Sequence, residues 1–268
     1  MHQSHQKRVT AHQRVSAAPS LTCTDRVSRR LHRDSRSPAL GYGAPVTDTA
    51  NAVANRIKDI IEAPKASELV AAYFDPASPF SGATFDSVGT NDLFTFSVDD
   101  LLALTMLDVG LKPLAVREVL GHGQATLSEL LRAVPHEQDL WEATDETLDA
   151  ATRLFAELDA LPAVGAVNAG KLMARKRPRL IPVIDKHVIT ALQAPKGKYW
   201  ATMRDALGRG KLWLQIEQTL RVSAPASVTT LRLLDVAIWM RLSEADSARL
   251  VRSQLGLPVT PRENRSVP

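Results

Sequence analysis

Residues 161–188 read LPAVGAVNAGKLMARKRPRLIPVIDKHV, and the rest of the chain takes its meaning from this stretch. Pro162, two small residues and Gly165 fall where a helical pattern running up from Leu148 stops, which marks a tight turn between two helices. Asn168 to Lys176 has helical spacing with Leu172 and Met173 inward. Pro178 closes it, because a proline cannot continue the hydrogen-bond ladder. Leu180-Ile181-Pro182-Val183-Ile184 is an apolar approach segment, and Asp185 stands just before a second helical run, Lys186 to Leu192. The order is helix, hairpin, basic helix, acid at a helix start.

That order suggests chemistry. Backbone amides at a helix start point outward together where partial positive charge accumulates, so Val164 and Gly165 are candidates for holding a phosphate. Lys171, Arg175, Lys176, Arg177 and Arg179 put five basic residues into nine positions, the densest cationic run of the chain beyond residue 44 and a candidate footprint for a nucleic-acid backbone. The competing reading is a solvated helix end with cations near its negative dipole. Asp185 has two readings as well: a cap accepting from the amides of His187 or Val188, or a carboxylate facing a reacting group.

Working outward, Val53, Ile57, Ile60 and Ile61 recur at helical spacing after Val46, and Ser67 to Phe74 continues the pattern. Asp75-Pro76, Ser78-Pro79 and Gly82 then force a loop. Phe80, Phe85, Phe94 and Phe96 cluster in this loop-rich part and are read as core, with base stacking as the alternative. Ser97 and Asp100 form a capping box. Pro113 opens a helix that Gly121-His122-Gly123 is expected to end. Leu127 to Val134, Leu148 to Leu158, Leu212 to Leu220 and Leu231 to Leu242 add further helical stripes, and few stretches alternate as strands do. The expectation is an all-α multi-helix bundle with the helix-hairpin-helix unit at its centre.

The hairpin residues Leu161, Pro162, Val164 and Gly165, followed by Asp185, His187 and Val188, resemble the helix-hairpin-helix, endonuclease III-like DNA glycosylases. The resemblance implies a glycosylase-like scaffold on duplex DNA, with Asp185 the catalytic carboxylate and residues 164, 165, 171, 175, 176, 177 and 179 on the nucleic acid. Val167 stands where lyase-type members carry a nucleophilic lysine, so the implied activity is monofunctional base excision. Ala163 replaces the first hairpin glycine and Lys186 the threonine of the acid motif. These departures keep open a DNA-binding module without chemistry and a catalytically inert helical interaction protein. Over residues 73–240, the segments YFDPASPFSG, DDLLALTMLDV, ARKRPRLIPVID and LLDVAIWM also resemble an uncharacterised family of high-GC bacterial proteins.

Composition bounds these readings. Of the 268 residues 44% are hydrophobic, enough to bury a core. Residues 1–44 hold eight Lys and Arg against two Asp, a net +6, whereas the other 224 residues carry a net −2. Basicity therefore belongs to the N-terminal segment, and the body can bind nucleic acid only through local patches. Residues 1–45 are read as a disordered basic tail, 46–257 as the globular domain and 258–268 as a flexible end. Cys23 is the only cysteine, which excludes a four-cysteine iron-sulfur cluster and a disulfide framework. No His and Cys pattern has metal-ligand spacing and no run is long enough to span a bilayer, so no cofactor, metal or membrane is expected and the setting is read as cytoplasmic.

Overall fold

A computed structural model of the chain describes residues 46–195, 197–221 and 224–259. The tail expected over 1–45 and residues 260–268 lie outside them. Among the described residues there is no strand, and the all-α class follows from where the apolar side chains fall. In α1 (Val46–Ile61), Ala50, Val53, Ala54, Ile57 and Ile61 are buried, a single stripe at helical spacing. In α2 (Ala66–Phe74), Leu69, Val70, Tyr73 and Phe74 are buried. A loop then leads to α3 (Val98–Thr105), which opens on the expected capping box, with the Ser97 amide donating to Asp100 Oδ2 at 2.7 Å.

The next connection differs from expectation. α4 (Pro113–Arg117) does not stop at Gly121-His122-Gly123 but passes through a single π-turn, Glu118–His122, into α5 (Gln124–Arg132). The Gly123 amide donates to Glu118 O at 2.8 Å, and Gly123 sits at φ −83°, so the glycine continues the helix instead of capping it. α6 (Asp145–Ala160) starts at Thr144, whose hydroxyl accepts from the Thr147 amide. After a turn at 161–164 comes α7 (Gly165–Lys176), three residues longer at its start than the spacing alone suggests, and α6 and α7 pack on each other.

The remaining helices are α8 (Lys186–Leu192), α9 (Tyr199–Gly208), α10 (Leu212–Leu220), α11 (Thr230–Leu242) and α12 (Asp246–Gln254). α11 is the hub: it packs on α1, α2, α8, α10 and α12 and is buried on every side from Thr230 to Ile238. A helix apolar around its whole circumference has to lie inside. Two charged residues, Arg232 and Asp235, sit within that fully buried stretch. α7 is interior too: from Asn168 to Lys176 only Gly170 escapes full burial, and only its first turn faces out. None of the described helices is long and apolar enough to cross a membrane.

Candidate functional site

Where α7 and α11 approach the start of α8, the structure leaves a cavity of about 230 Å3. It is lined by Tyr73 from α2, Phe80 and Gly82 from the following loop, Asp108 from the turn after α3, Lys171 from α7, Asp185, and Arg232, Asp235 and Trp239 from α11. Asp185 caps α8, and its Oδ1 accepts from the amides of His187 at 2.8 Å and Val188 at 2.9 Å. Both bonds fall on one oxygen, and among the described residues Oδ2 has no hydrogen-bond partner.

One wall is aromatic. Tyr73 and Phe80 stack with centroids 5.2 Å apart and planes 17° from parallel, and Trp239 meets both edge-on at 5.9 and 5.8 Å. Gly82 is required here, because a Cβ would stand 2.1 Å from the Tyr73 hydroxyl. The ionic groups pack against that wall. Arg232 lies over the Tyr73 and Phe85 rings and donates to the Tyr73 hydroxyl at 3.1 Å, to Gly82 O at 2.7 Å, to Asp86 at 3.2 Å and to Asp235. Burial pushes the Asp235 carboxyl up to about 6 despite the Arg232 attraction, and the nearby charges of Asp185 and Asp86 add to the rise. Burial works against the charge of Arg232, but Tyr73, Asp235 and Asp86 together raise it well above the ordinary guanidinium value. Tyr199 borders a small void shared with Asp235, and its buried hydroxyl has no hydrogen-bond partner among the described residues.

Lys171 belongs to this cavity. Its ammonium donates to Leu107 O at 3.2 Å, and the side chain is 8% exposed. Burial lowers its pKa, while Asp185 and Asp235 pull it back up. The structure thus brings together two of the residues singled out from sequence, Lys171 and Asp185.

The other cations go elsewhere. Arg175 donates to Phe85 O at 2.7 Å and Val88 O at 2.6 Å; Lys176 pairs with the buried Asp100 at 2.5 Å and donates to Asp92 O at 2.7 Å. Arg177 spends its donors on Val134 O, Leu93 O, Leu131 O and Lys176 O. All three side chains are closed off from solvent. This differs from the expectation of a phosphate-facing row: α7 is interior, and its cations donate to carbonyls at loop and helix ends, and Lys176 also to Asp100, instead of facing out. Arg179 is at the surface, held by Asp139 at 2.9 and 2.6 Å.

The hairpin keeps an outward aspect. Val164 is buried and its carbonyl accepts from Asn168 Nδ2 at 2.7 Å, but Gly165, Ala166 and Val167 are exposed, with first-turn amides that have no intrahelical acceptor. Ala163 and Gly165 both take left-handed backbone, φ 66° and 71°. That conformation is free for Gly165 but costs Ala163 about 1 kcal/mol. Of the loop aromatics, Phe85 and Phe96 are core, Phe80 is core and cavity wall at once, and Phe94 is 41% exposed.

A model for a family of unknown function, DUF6308, matches residues 66–242. The chain belongs to this family. The DUF6308 span takes in every aromatic and charged group of the cavity, from Tyr73 to Trp239, and leaves out only Ala245 and Ser247 on its rim. Comparison with curated proteins and with solved structures gives no match. Sequence reading alone missed Tyr73, Arg232, Asp235 and Trp239. The signal was present: Arg232 and Asp235 stand one turn apart inside LRLLDVAIW, and charges in an apolar helix are buried only when paired. Among the described residues, no group of three or more His, Cys, Asp or Glu gathers to hold a metal.

Proposed function

We propose that the cavity beside Asp185 receives a base turned out of a DNA duplex, and that Asp185 is the carboxylate of a monofunctional base-excision reaction. The observation that carries this reading is the meeting of an unshared carboxylate oxygen with a stacked aromatic wall in one small cavity. Enzymes acting on a base must take it out of the stack and hold it by stacking and polar contacts. At about 230 Å3 the cavity is smaller than the roughly 300–1,000 Å3 of drug-sized pockets, a scale suited to a single ring system.

In this reading the C1′–N bond breaks with its electron pair leaving on the base. Asp185 Oδ2 stabilises the positive charge left on the sugar; water adds to C1′ and loses a proton, and the departing base gains one. Lys171 lines the same cavity, and the Asp185 charge favours its ammonium form against the effect of burial. The hairpin amides from Gly165 onward would hold a backbone phosphate, without help from Arg175, Lys176 or Arg177.

The test is base release from duplexes carrying uracil, hypoxanthine, alkylated purines or oxidised purines. Asp185→Asn keeps the cap, so stability should change by less than about 1 kcal/mol while release collapses. The proposal fails if wild type releases no base from any of these, or if Asp185→Asn releases it as fast as wild type. The second reading, an inert helical interaction protein, is favoured by the inward-turned cations and by the apolar hairpin tip, where Val167 is 61% exposed. Absence of base release, with Val167→Asp abolishing capture of a protein partner, would select it.

A further inference from the structure

A second groove, sharing no residue with the Asp185 cavity, encloses about 460 Å3 between Trp141, Trp213 and the start of α11. Its indoles are half-buried and stacked, with centroids 5.1 Å apart and planes 5° from parallel. Around them stand two Arg–carboxylate forks. Arg179 grips both oxygens of Asp139, and Arg221 grips both oxygens of Glu217 at 2.8 Å each. Glu217 also accepts from the Thr230 hydroxyl at 2.5 Å, and the Leu140 amide ties the Trp141 turn to Arg179 O at 3.0 Å. Donors and acceptors are therefore fixed in place before any ligand arrives, which cuts the ordering cost of binding.

The charge balance selects the ligand. Arg179 and Arg221 are cancelled by Asp139 and Glu217, and Glu137 and Glu142 add further negative field at Arg179. A phosphate backbone would meet no surplus positive charge here. A cationic ligand would find both lining carboxylates already paired. What remains is an indole wall beside coplanar groups that still offer both N–H donors and oxygen lone pairs, since a guanidinium has five donors and a carboxylate about four acceptor sites. A neutral ring that carries C–H groups on its face and hydroxyls on its edge matches both features. We propose that this groove binds a sugar residue, recognised as a neutral polyhydroxylated ring.

The experiment is saturation-transfer NMR on the full chain with methyl β-D-glucopyranoside and methyl α-D-mannopyranoside as probes, and ribose 5-phosphate and tetramethylammonium as charged rivals. At least one glycoside should receive transfer on its ring C–H protons. Trp213→Ala and Asp139→Asn should each weaken its binding roughly tenfold, the size expected for losing one aromatic contact or one fixed acceptor. Asp185→Asn should leave it unchanged, which separates this groove from the cavity. Should Trp213→Ala fail to fold, Asp139→Asn and the ring-preserving Trp213→Phe decide. The proposal is overturned if neither glycoside receives transfer, if Asp139→Asn and the folded Trp213 variant bind as wild type does, or if a charged rival binds more tightly than both glycosides.

Discussion

Lys171 and Arg177 are six residues apart and both buried, yet they are buried differently. Among the described residues Arg177 faces no carboxylate: its donors meet carbonyls, two of them, Leu131 O and Val134 O, at the C-terminal end of α5, where the helix dipole is negative. Burial lowers its pKa to about 10, but the group stays charged at neutral pH and every nitrogen is used. Lys171 makes one bond to a carbonyl and otherwise faces a cavity with three acids, Asp108, Asp185 and Asp235. A cation saturated by backbone holds the fold; a cation with unspent donors beside a void is available to a ligand.

The comparison predicts a graded set of outcomes. Arg177→Met should be the most damaging, because it strands carbonyls of two segments at once, and thermal or urea unfolding should show a loss of about 3–5 kcal/mol. Asp100→Asn comes next. It leaves Lys176 buried without its carboxylate but keeps much of the Ser97 cap, and about 2–3 kcal/mol should be lost by the same measurement. If either change costs less than about 1 kcal/mol, the view of these cations as structural staples is broken.

A third outcome concerns pH. The Asp235 carboxyl titrates near 6 in the fold against 3.8 as a free side chain, so the folded state holds its proton over that interval when the unfolded state does not. Its contribution to stability is complete below 3.8 and declines as pH rises to about 6. Arg232, Tyr73, Lys171, Asp86, Asp185 and Tyr199 are the groups it acts on or feels. Melting temperature followed across this window should fall in wild type relative to Asp235→Asn, and a constant difference between the two would refute the assignment. The smallest effect on stability is expected for Lys171→Met, within about 1 kcal/mol of wild type, since the thioether fills the same space and one carbonyl bond is lost. A loss comparable to that of Arg177→Met would erase the distinction between the two cations.

Much of the fold was legible because burial and helical period coincide in α1, α6 and α10, and the caps at Ser97 and Asp185 stand where their side-chain chemistry requires. The cationic run was legible as a density but not as a direction. Yet Ala169, Leu172, Met173 and Lys176 fall on one stripe, so the spacing itself placed Lys176 inward. What no local pattern could give is the partner: Arg175 reaches back about ninety positions to the loop of Phe85, and Arg232 about one hundred and fifty to Gly82. The cavity is made of such long-range pairings. That is why Asp185, and the Arg232–Asp235 pair one turn apart, are readable from their own neighbourhoods while Tyr73 and the meeting of all four in one cavity are not.

The π-turn at Glu118–His122 has a mechanical consequence. The extra residue in that turn brings Gly123 against Leu161, where a Cβ would lie 3.2 Å from one methyl carbon, 3.3 Å from the other and 3.1 Å from Glu118 O. The missing side chain is thus a clearance, and the bulge works as a shim under the first residue of the hairpin. A methyl group added there would make Leu161 or the turn give by a few tenths of an ångström, so this clearance sets how closely the turn and the hairpin approach.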